Sequence, residues 1–430
     1  MRKIRILITQ NSLSAVTGGE LVVLELATYL KEAGHHVVVF TWNCGGLLKK
    51  IIEANGISLI TPYNETYEDN FKLSDFDVIW VFNQVLPTSI IQDLEKERSR
   101  VPKFIFTHLS TLDTSFLDLP YVYDLENRLS SLSLFRAEDA IERYGDKYYA
   151  SDIPRLATYN NPSPVSFCSL SRIYRPLKKI LVVASHPAAN IDIITAELED
   201  RGYVVDTMSK LSKSPRIITP EILKRYDLVV ASEKTTQYCL CSGTPIYLID
   251  SYGTLGYLNK SNYEKAKFHN FSGNIQNKDH KFYQPNEKGE KDIVQDIVVG
   301  YDDAVTFHRV NRQSFIDEFA IDRVVPKILD SLPRRSTEKF PSDYSRYVCL
   351  VQNMMQSFIH ELRSENPKRI DILEARIKLE LGELKIAREE VVKLRQQVET
   401  LNTLNNRRIA NRLRRVLRKG KAYVFPRNRE

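Results

Sequence analysis

A strand, a small-residue loop and an amphipathic helix open this chain and recur about 170 residues later. The first copy runs Ile4-Arg5-Ile6-Leu7-Ile8, a loop ending Thr17-Gly18-Gly19-Glu20, a helix through Leu30, and then Gly34-His35-His36-Val37-Val38-Val39-Phe40. The second runs Lys179-Ile180-Leu181-Val182-Val183-Ala184, then Ser185-His186-Pro187, a helix over 191–200, and Gly202-Tyr203-Val204-Val205-Asp206. Each reads as a βαβ opening, whose first strand-to-helix turn points backbone N–H groups and the helix dipole at an anion. Two such modules predict an α/β chain of two Rossmann-like domains with a small-molecule cleft between them.

At 430 residues, 43% apolar and 27% charged, the chain has material for two or three packed cores. Five scattered cysteines (Cys44, Cys168, Cys239, Cys241, Cys349) without a CxxC pair argue against a disulfide framework or a metal site and for a reducing compartment. No apolar run is long enough for a membrane span, and the N-terminal one is too short for a signal peptide. The expected location is the cytoplasm.

The elements place the boundaries. In the first domain, 1–165, residues 56–60 read as a short strand. Residues 77–82 form the continuous apolar run of a buried parallel strand. Residues 101–107 are the next strand, with His108 at its carboxyl end, where ligands of open α/β sheets gather. Residues 160–178, with Asn160-Asn161-Pro162-Ser163-Pro164 and Arg175-Pro176, read as a linker. The second domain, 175–330, continues with a short helix at 222–226 and a strand at 227–231. The loop Ser232-Glu233-Lys234-Thr235-Thr236-Gln237, a helix over 238–241 ended by Gly243-Thr244-Pro245, and a strand at 246–250 follow. Residues 251–300 read as looser loops near the cleft, and 291–330 as helices closing this domain.

Beyond Pro333 a helical connection, 331–366, carries a helix over 344–363. From Ile370 a heptad follows: Ile370, Ile377, Leu384, Val391 and Val398 alternate with Leu373, Glu380, Ala387, Leu394 and Leu401. Only Glu380 is polar, which predicts a coiled coil within 367–406. β-Branched residues in the first set and mostly leucine in the second lean towards a parallel homodimer through 370–404, against a helix folded on its own body. Residues 407–430 carry ten Lys/Arg and one acid, leaving 51 basic against 53 acidic residues elsewhere, so the net +7 describes this tail. Ile409, Leu413, Val416 and Leu417 share one helical face, with Tyr423 and Phe425 beyond. Such a segment suits an anionic membrane surface; nucleic acid and a merely solvated tail are the other readings, and nucleic acid is not the partner expected.

The opening Lys3 to Ile8, Gly18-Gly19-Glu20, Leu26-Ala27, Leu30 and Gly34-His35-His36-Val37 resembles the N-terminal signature of GT-B glycosyltransferases. The nearest likeness is to the retaining, sugar-nucleotide-dependent enzymes of bacterial surface polysaccharide synthesis. Tyr226-Asp227-Leu228-Val229-Val230 and Cys241-Ser242-Gly243-Thr244-Pro245-Ile246 resemble that family's donor-binding segment, and the likeness spans about residues 1–330. One departure stands out. The family usually carries two glutamates eight residues apart, the second five positions before the glycine of Gly-Thr-Pro; here those positions are Val230 and Tyr238, and Glu233 is the loop's one carboxylate.

The resemblance implies a nucleotide-diphosphate sugar as donor, a diphosphate leaving group to be stabilised, and neither cofactor nor metal. Lys234, Thr235 and Thr236 offer an ammonium, two hydroxyls and helix-start N–H groups, although threonine there also reads as a plain cap. Ser185 and His186 add donors or form a turn. Gly18 and Gly19 let backbone approach substrate or make a tight turn. His108 is similar to the histidine that touches the donor sugar or aids transfer, against a structural histidine at a strand end. The 251–257 loop, with Gly253, shapes the pocket. The chain is expected to be a membrane-peripheral glycosyltransferase moving a hexose or deoxyhexose to a lipid-linked glycan. An inactive GT-B-like scaffold is the alternative, and a sugar-nucleotide epimerase ranks last.

Overall fold

The computed structural model describes residues 2–62, 70–96, 101–110, 123–149, 156–184, 191–209, 217–251, 253–272, 290–333 and 340–364. The expected coiled coil (367–406) and the basic tail (407–430) lie outside the described residues, as do Ser185 and His186.

The first half alternates β1 (Arg5–Leu13), α1 (Gly18–Glu32), β2 (His36–Cys44), α2 (Gly46–Ala54), β3 (Ser58–Ile60), β4 (Val78–Phe82), α3 (Thr88–Asp93) and β5 (Lys103–His108). It continues with α4 (Tyr123–Leu129), β6 (Ser130–Phe135), α5 (Glu138–Tyr148) and β7 (Leu156–Thr158). These strands form one parallel seven-stranded sheet in the order β3-β2-β1-β4-β5-β6-β7. Apolar runs at β1 and β4 suit central strands buried on both faces: eight of nine residues of β1 and all five of β4 are buried.

A short α6 (Val165–Cys168) sits in the expected linker. The second half follows with β8 (Lys179–Ala184), α7 (Ile191–Asp200), β9 (Val204–Ser209), α8 (Pro220–Leu223), β10 (Leu228–Ala231), α9 (Lys234–Ser242), β11 (Ile246–Asp250), β12 (Gly253–Tyr257) and α10 (Tyr263–Phe268). It closes with α11 (Glu290–Val299), α12 (Tyr301–Phe319), α13 (Ile321–Ser331) and α14 (Ser342–Ser364). Its sheet runs β12-β11-β10-β8-β9, parallel except for β12. Each half thus holds one Rossmann-like sheet, as the doubled βαβ opening predicts. Residues 1–360 form one compact unit around both.

Two expectations change. Residues 253–257 are an edge strand rather than a pocket loop, since Tyr247 and Tyr257 pair across the antiparallel ladder and stack edge to face. Residues 321–330 do not close the second domain. Ile321, Val325, Ile328 and Leu332 pack into the core of the first sheet beside Leu26 and Leu30 of α1. The chain thus crosses back, and Gln352 of α14 donates to the Gln84 carbonyl (2.6 Å) in the loop after β4. Among the described residues no helix is long and apolar enough to cross a membrane.

Candidate functional site

In open α/β sheets the crevice lies where strand order reverses, at the carboxyl ends of the strands. In the first sheet that point falls between β1 and β4, and in the second between β8 and β10. Helix α1 starts at the first crevice and α9 at the second. A Cβ placed on Gly18 would lie 3.6 Å from the Cβ of Lys234, so the two helix starts abut across the seam. Neither N-cap, Thr17 or Glu233, makes a side-chain capping bond. In α9 the Thr236 N–H bonds to the Glu233 carbonyl (2.8 Å), and the first N–H groups of each helix give its start a partial positive charge, so two such charges lie near one another. Glu20 folds the preceding loop onto itself, accepting from the N–H groups of Ser14 (3.2 Å) and Ala15 (3.0 Å) and from the Thr17 hydroxyl (3.3 Å). Added methyls at Gly18 and Gly19 would meet only ordinary contacts at 3.6 Å, so crowding within the protein does not dictate either glycine.

Helix α9 begins at Lys234, four residues before the helix expected over 238–241, and the Lys234 ammonium turns inward, against the expectation that it faces a diphosphate. It pairs with Glu25 of α1 (2.7 Å) and donates to the carbonyls of Asn161 (3.2 Å) and Pro162 (2.6 Å). It also lies 4.8 Å from the ring centroid of Tyr238, whose hydroxyl donates to the same Glu25. Burial pushes the Glu25 carboxyl above its usual range and the Lys234 ammonium below its own, each partly offset by the other's charge. Tyr238, at one of the positions where the family holds a glutamate, is buried and stacks on Phe167 with centroids 4.3 Å apart. Thr236 is buried and its hydroxyl has no partner among the described residues. Of the predicted loop, Ser232, Glu233 and Thr235 remain partly open to solvent.

Glu233 adopts φ 51°, ψ −129°, which costs a non-glycine residue on the order of 1–3 kcal/mol. Its N–H bonds to the Phe271 carbonyl and its carboxylate meets Arg136 from the first domain (3.3 Å). Arg136 also binds Asp139 (3.1 Å), which His269 approaches at 3.3 Å. Asn160, Asn161, Asn270 and Phe271 share the left-handed conformation, and the side chains of Asn161 and Asn270 bond to each other at 3.2 Å. Asn83 and Gln84, in the loop after β4, also have positive φ, at 51° and 55°.

His108 ends β5 as expected, but it is 3% exposed. Its Nε2 lies 3.0 and 2.9 Å from the two carboxylate oxygens of Glu126 and 3.0 Å from the Tyr149 hydroxyl. Ser133 (2.6 Å) and Gln84 (2.8 Å) donate to the same carboxylate. Burial acts to raise the Glu126 carboxyl, but the His108 charge and these hydrogen bonds outweigh it and hold it below its usual range. A carboxylate facing Nε2 assigns a proton to that nitrogen, and Nδ1 is buried without a partner among the described residues. Sequence reasoning missed Glu25, Glu126, Arg136 and Tyr149. It also missed Gln84, for which a usable signal existed, since Asn83-Gln84 follows an apolar strand at its carboxyl end. Gly253 lies in the hairpin at the carboxyl end of β11, paired with Asp250.

No protein-family model matches this sequence, and no curated sequence matches it. Solved structures do match. A glycosyltransferase from Rickettsia africae is 12% identical, with 77% of this chain and 98% of that one covered and a TM-score of 0.47. WaaG, a glycosyltransferase involved in lipopolysaccharide biosynthesis, is 11% identical over 77% of this chain and all of that one, with a TM-score of 0.44. A complex of S. aureus MnaA with UDP is 12% identical over 78% and 100%, with a TM-score of 0.42.

Proposed function

We propose that this chain is a glycosyltransferase that moves a hexose or deoxyhexose from a nucleotide-diphosphate sugar to a lipid-linked glycan in surface polysaccharide assembly. The meeting of two helix starts at the crevices of two Rossmann-like sheets supports this most directly. Charge developing on a leaving diphosphate is met by first-turn N–H groups of α9, with the Thr235 hydroxyl beside them. Arg136 supplies the cation that Lys234 was expected to provide, reaching the α9 N-cap from the other half. Gly18 and Gly19 leave room for substrate against α1. His108, fixed through Nε2 by Glu126 at the carboxyl end of β5, aids transfer in this reading. The reaction in this reading uses neither metal nor cofactor. Residues 407–430 hold the enzyme on the cytoplasmic, anionic face of the membrane, and 370–404 pair two copies.

A panel of nucleotide-sugars tested by thermal shift on the full chain checks the reading: at least one donor should raise the midpoint, and its nucleotide alone should do so less or equally. If no nucleotide or nucleotide-sugar stabilises the chain, the enzyme reading gives way to a scaffold. Deleting 407–430 should release the protein from phosphatidylserine vesicles while leaving donor binding intact; unchanged vesicle binding removes the membrane part alone.

A further inference from the structure

The last described helix, α14, reaches the surroundings of His108 through one side-chain amide. Gln352 is buried, and its amide meets the backbone of the loop after β4 at two points. Its nitrogen donates to the Gln84 carbonyl (2.6 Å) and its Oε1 accepts from the Leu86 N–H (3.3 Å). An amide needs an acceptor at its nitrogen and a donor at its oxygen, and this loop supplies one of each. The residue between them is pinned as well: the Val85 N–H donates to the Phe82 carbonyl (3.2 Å), and the Thr9 hydroxyl of β1 donates to the Val85 carbonyl (2.5 Å). Asn83 and Gln84 keep their positive φ in this setting, a conformation that persists in non-glycine residues only where surrounding contacts impose it.

The loop carries a side chain that matters to His108. Gln84 donates to Oε2 of Glu126 (2.8 Å), the same oxygen that faces His108 Nε2 at 2.9 Å, while the Ser133 hydroxyl donates to Oε1 (2.6 Å). Helix α14 also touches the helix that bears Glu126: the Arg128 guanidinium of α4 lies 4.9 Å from the centroid of the Tyr344 ring, which Phe340 meets edge to face. Gln84, Glu126 and Gln352 are all buried, so solvent does not readily replace a hydrogen-bond partner that one of them loses.

We propose that Gln352 is a positioning residue for His108: by fixing residues 84–86 it sets Gln84, which turns the Glu126 carboxylate onto the imidazole. This role rests on the reading of His108 as the group that aids transfer. Gln352 itself is not catalytic, because a loop and a carboxylate stand between it and the ring. A methionine at 352 has similar length but leaves the Gln84 carbonyl and the Leu86 N–H buried without their partner. The loop then shifts to satisfy them, Gln84 draws away from Glu126, and the carboxylate swings towards Ser133.

Nuclear magnetic resonance of the full chain labelled with 15N-histidine tests this, with His108 identified among the eight histidines by its loss in His108→Gln. In Gln352→Met the His108 ring signals should move while the other seven stay, and in a Gln84→Met background Gln352→Met should move them no further. Val348→Ala, at a buried position one turn earlier on α14, should lower the unfolding midpoint and leave the His108 signals in place. With a donor that the chain turns over, Gln352→Met should lower kcat about tenfold at nearly unchanged donor KM. Gln352→Glu keeps the acceptor for Leu86 and loses only the donor to Gln84, so it takes the place of methionine where that variant does not fold. Unmoved His108 signals in the variant that folds overturn the proposal, as does an equal shift in Val348→Ala or an unchanged kcat. A chain that turns over no donor defeats the enzyme reading alone, because the ring signals are read without substrate.

Discussion

Replacing Lys234 with methionine tests whether the two halves are held by one buried ion pair. The side chains of Lys234 and Glu25 are 7% and 12% exposed, so little water screens them. An exposed pair is worth roughly 0–1 kcal/mol, whereas removing one partner of a buried pair costs about 3–5 kcal/mol because the other charge is left uncompensated. In Lys234→Met the Glu25 carboxylate keeps only the Tyr238 hydroxyl. The expected loss is therefore about 3 kcal/mol, a large share of a typical margin of roughly 5–15 kcal/mol. Urea unfolding followed by far-UV circular dichroism reads it as a lower midpoint. Glu25→Gln/Lys234→Met should cost about 2 kcal/mol less than the two single changes summed, because it strands no charge. The pH dependence carries the same signature. Burial raises the Glu25 carboxyl above its ordinary 4.5, so the folded state binds its proton more tightly than the unfolded state does. Its contribution is then fully favourable below 4.5 and declines as pH rises through the raised value, a slope that Glu25→Gln abolishes. A Lys234→Met shift worth less than about 1 kcal/mol would refute the reasoning, for it would place the pair with exposed ones.

Three further outcomes follow from single sites. Gly243→Ala forces a Cβ into a residue at φ 71°, 2.9 Å from the Tyr174 hydroxyl and 3.1 Å from Arg312 Cδ, and should cost at least ~1–2 kcal/mol in urea. Burial and the nearby Arg172 charge push buried His308 down to about 3 from 6.5. The unfolded chain therefore takes a proton that the folded one refuses, and on the order of 5 kcal/mol of stability should drain away between those values as pH falls, a slope that His308→Phe removes. Glu126→Gln should lower kcat on the order of 10²-fold with the donor that binds, leave donor KM nearly unchanged and keep the circular dichroism spectrum.

Much of the fold was legible because period and punctuation agreed. The buried runs of β1, β4, β10 and β11 are strands, and Gly243 stops α9 in the left-handed conformation, as its place before Thr244-Pro245 implied. Local signals failed where partners are remote. The edge strand at 253–257 carries two glycines and little alternation, so only its pairing with β11 makes it a strand. Helix α13 continues α12 in sequence, and nothing in its own pattern says which core it enters. The site was legible in its positions and less so in its partners. Position 234 lies at the crevice, as expected, although its helix begins four residues earlier than expected, and the direction of its ammonium depends on Glu25, on a helix of the other half. Likewise, a histidine at a strand end is visible in sequence, whereas the carboxylate that fixes it lies 18 residues on, in a helix without a distinctive pattern.

The chain passes between its two halves twice, once through 159–164 and again where α12 gives way to α13. These passages are bonded side by side: the Ser163 N–H donates to the Phe319 carbonyl (2.7 Å) and the Ile321 N–H to the Ser163 carbonyl (2.9 Å). A single strap would let one half swivel and twist freely against the other. Twin straps laced together act like the knuckles of a door hinge, keeping one rotation soft and stiffening the others, so opening and shutting can repeat along a single arc and return the facing loops to the same alignment on each cycle.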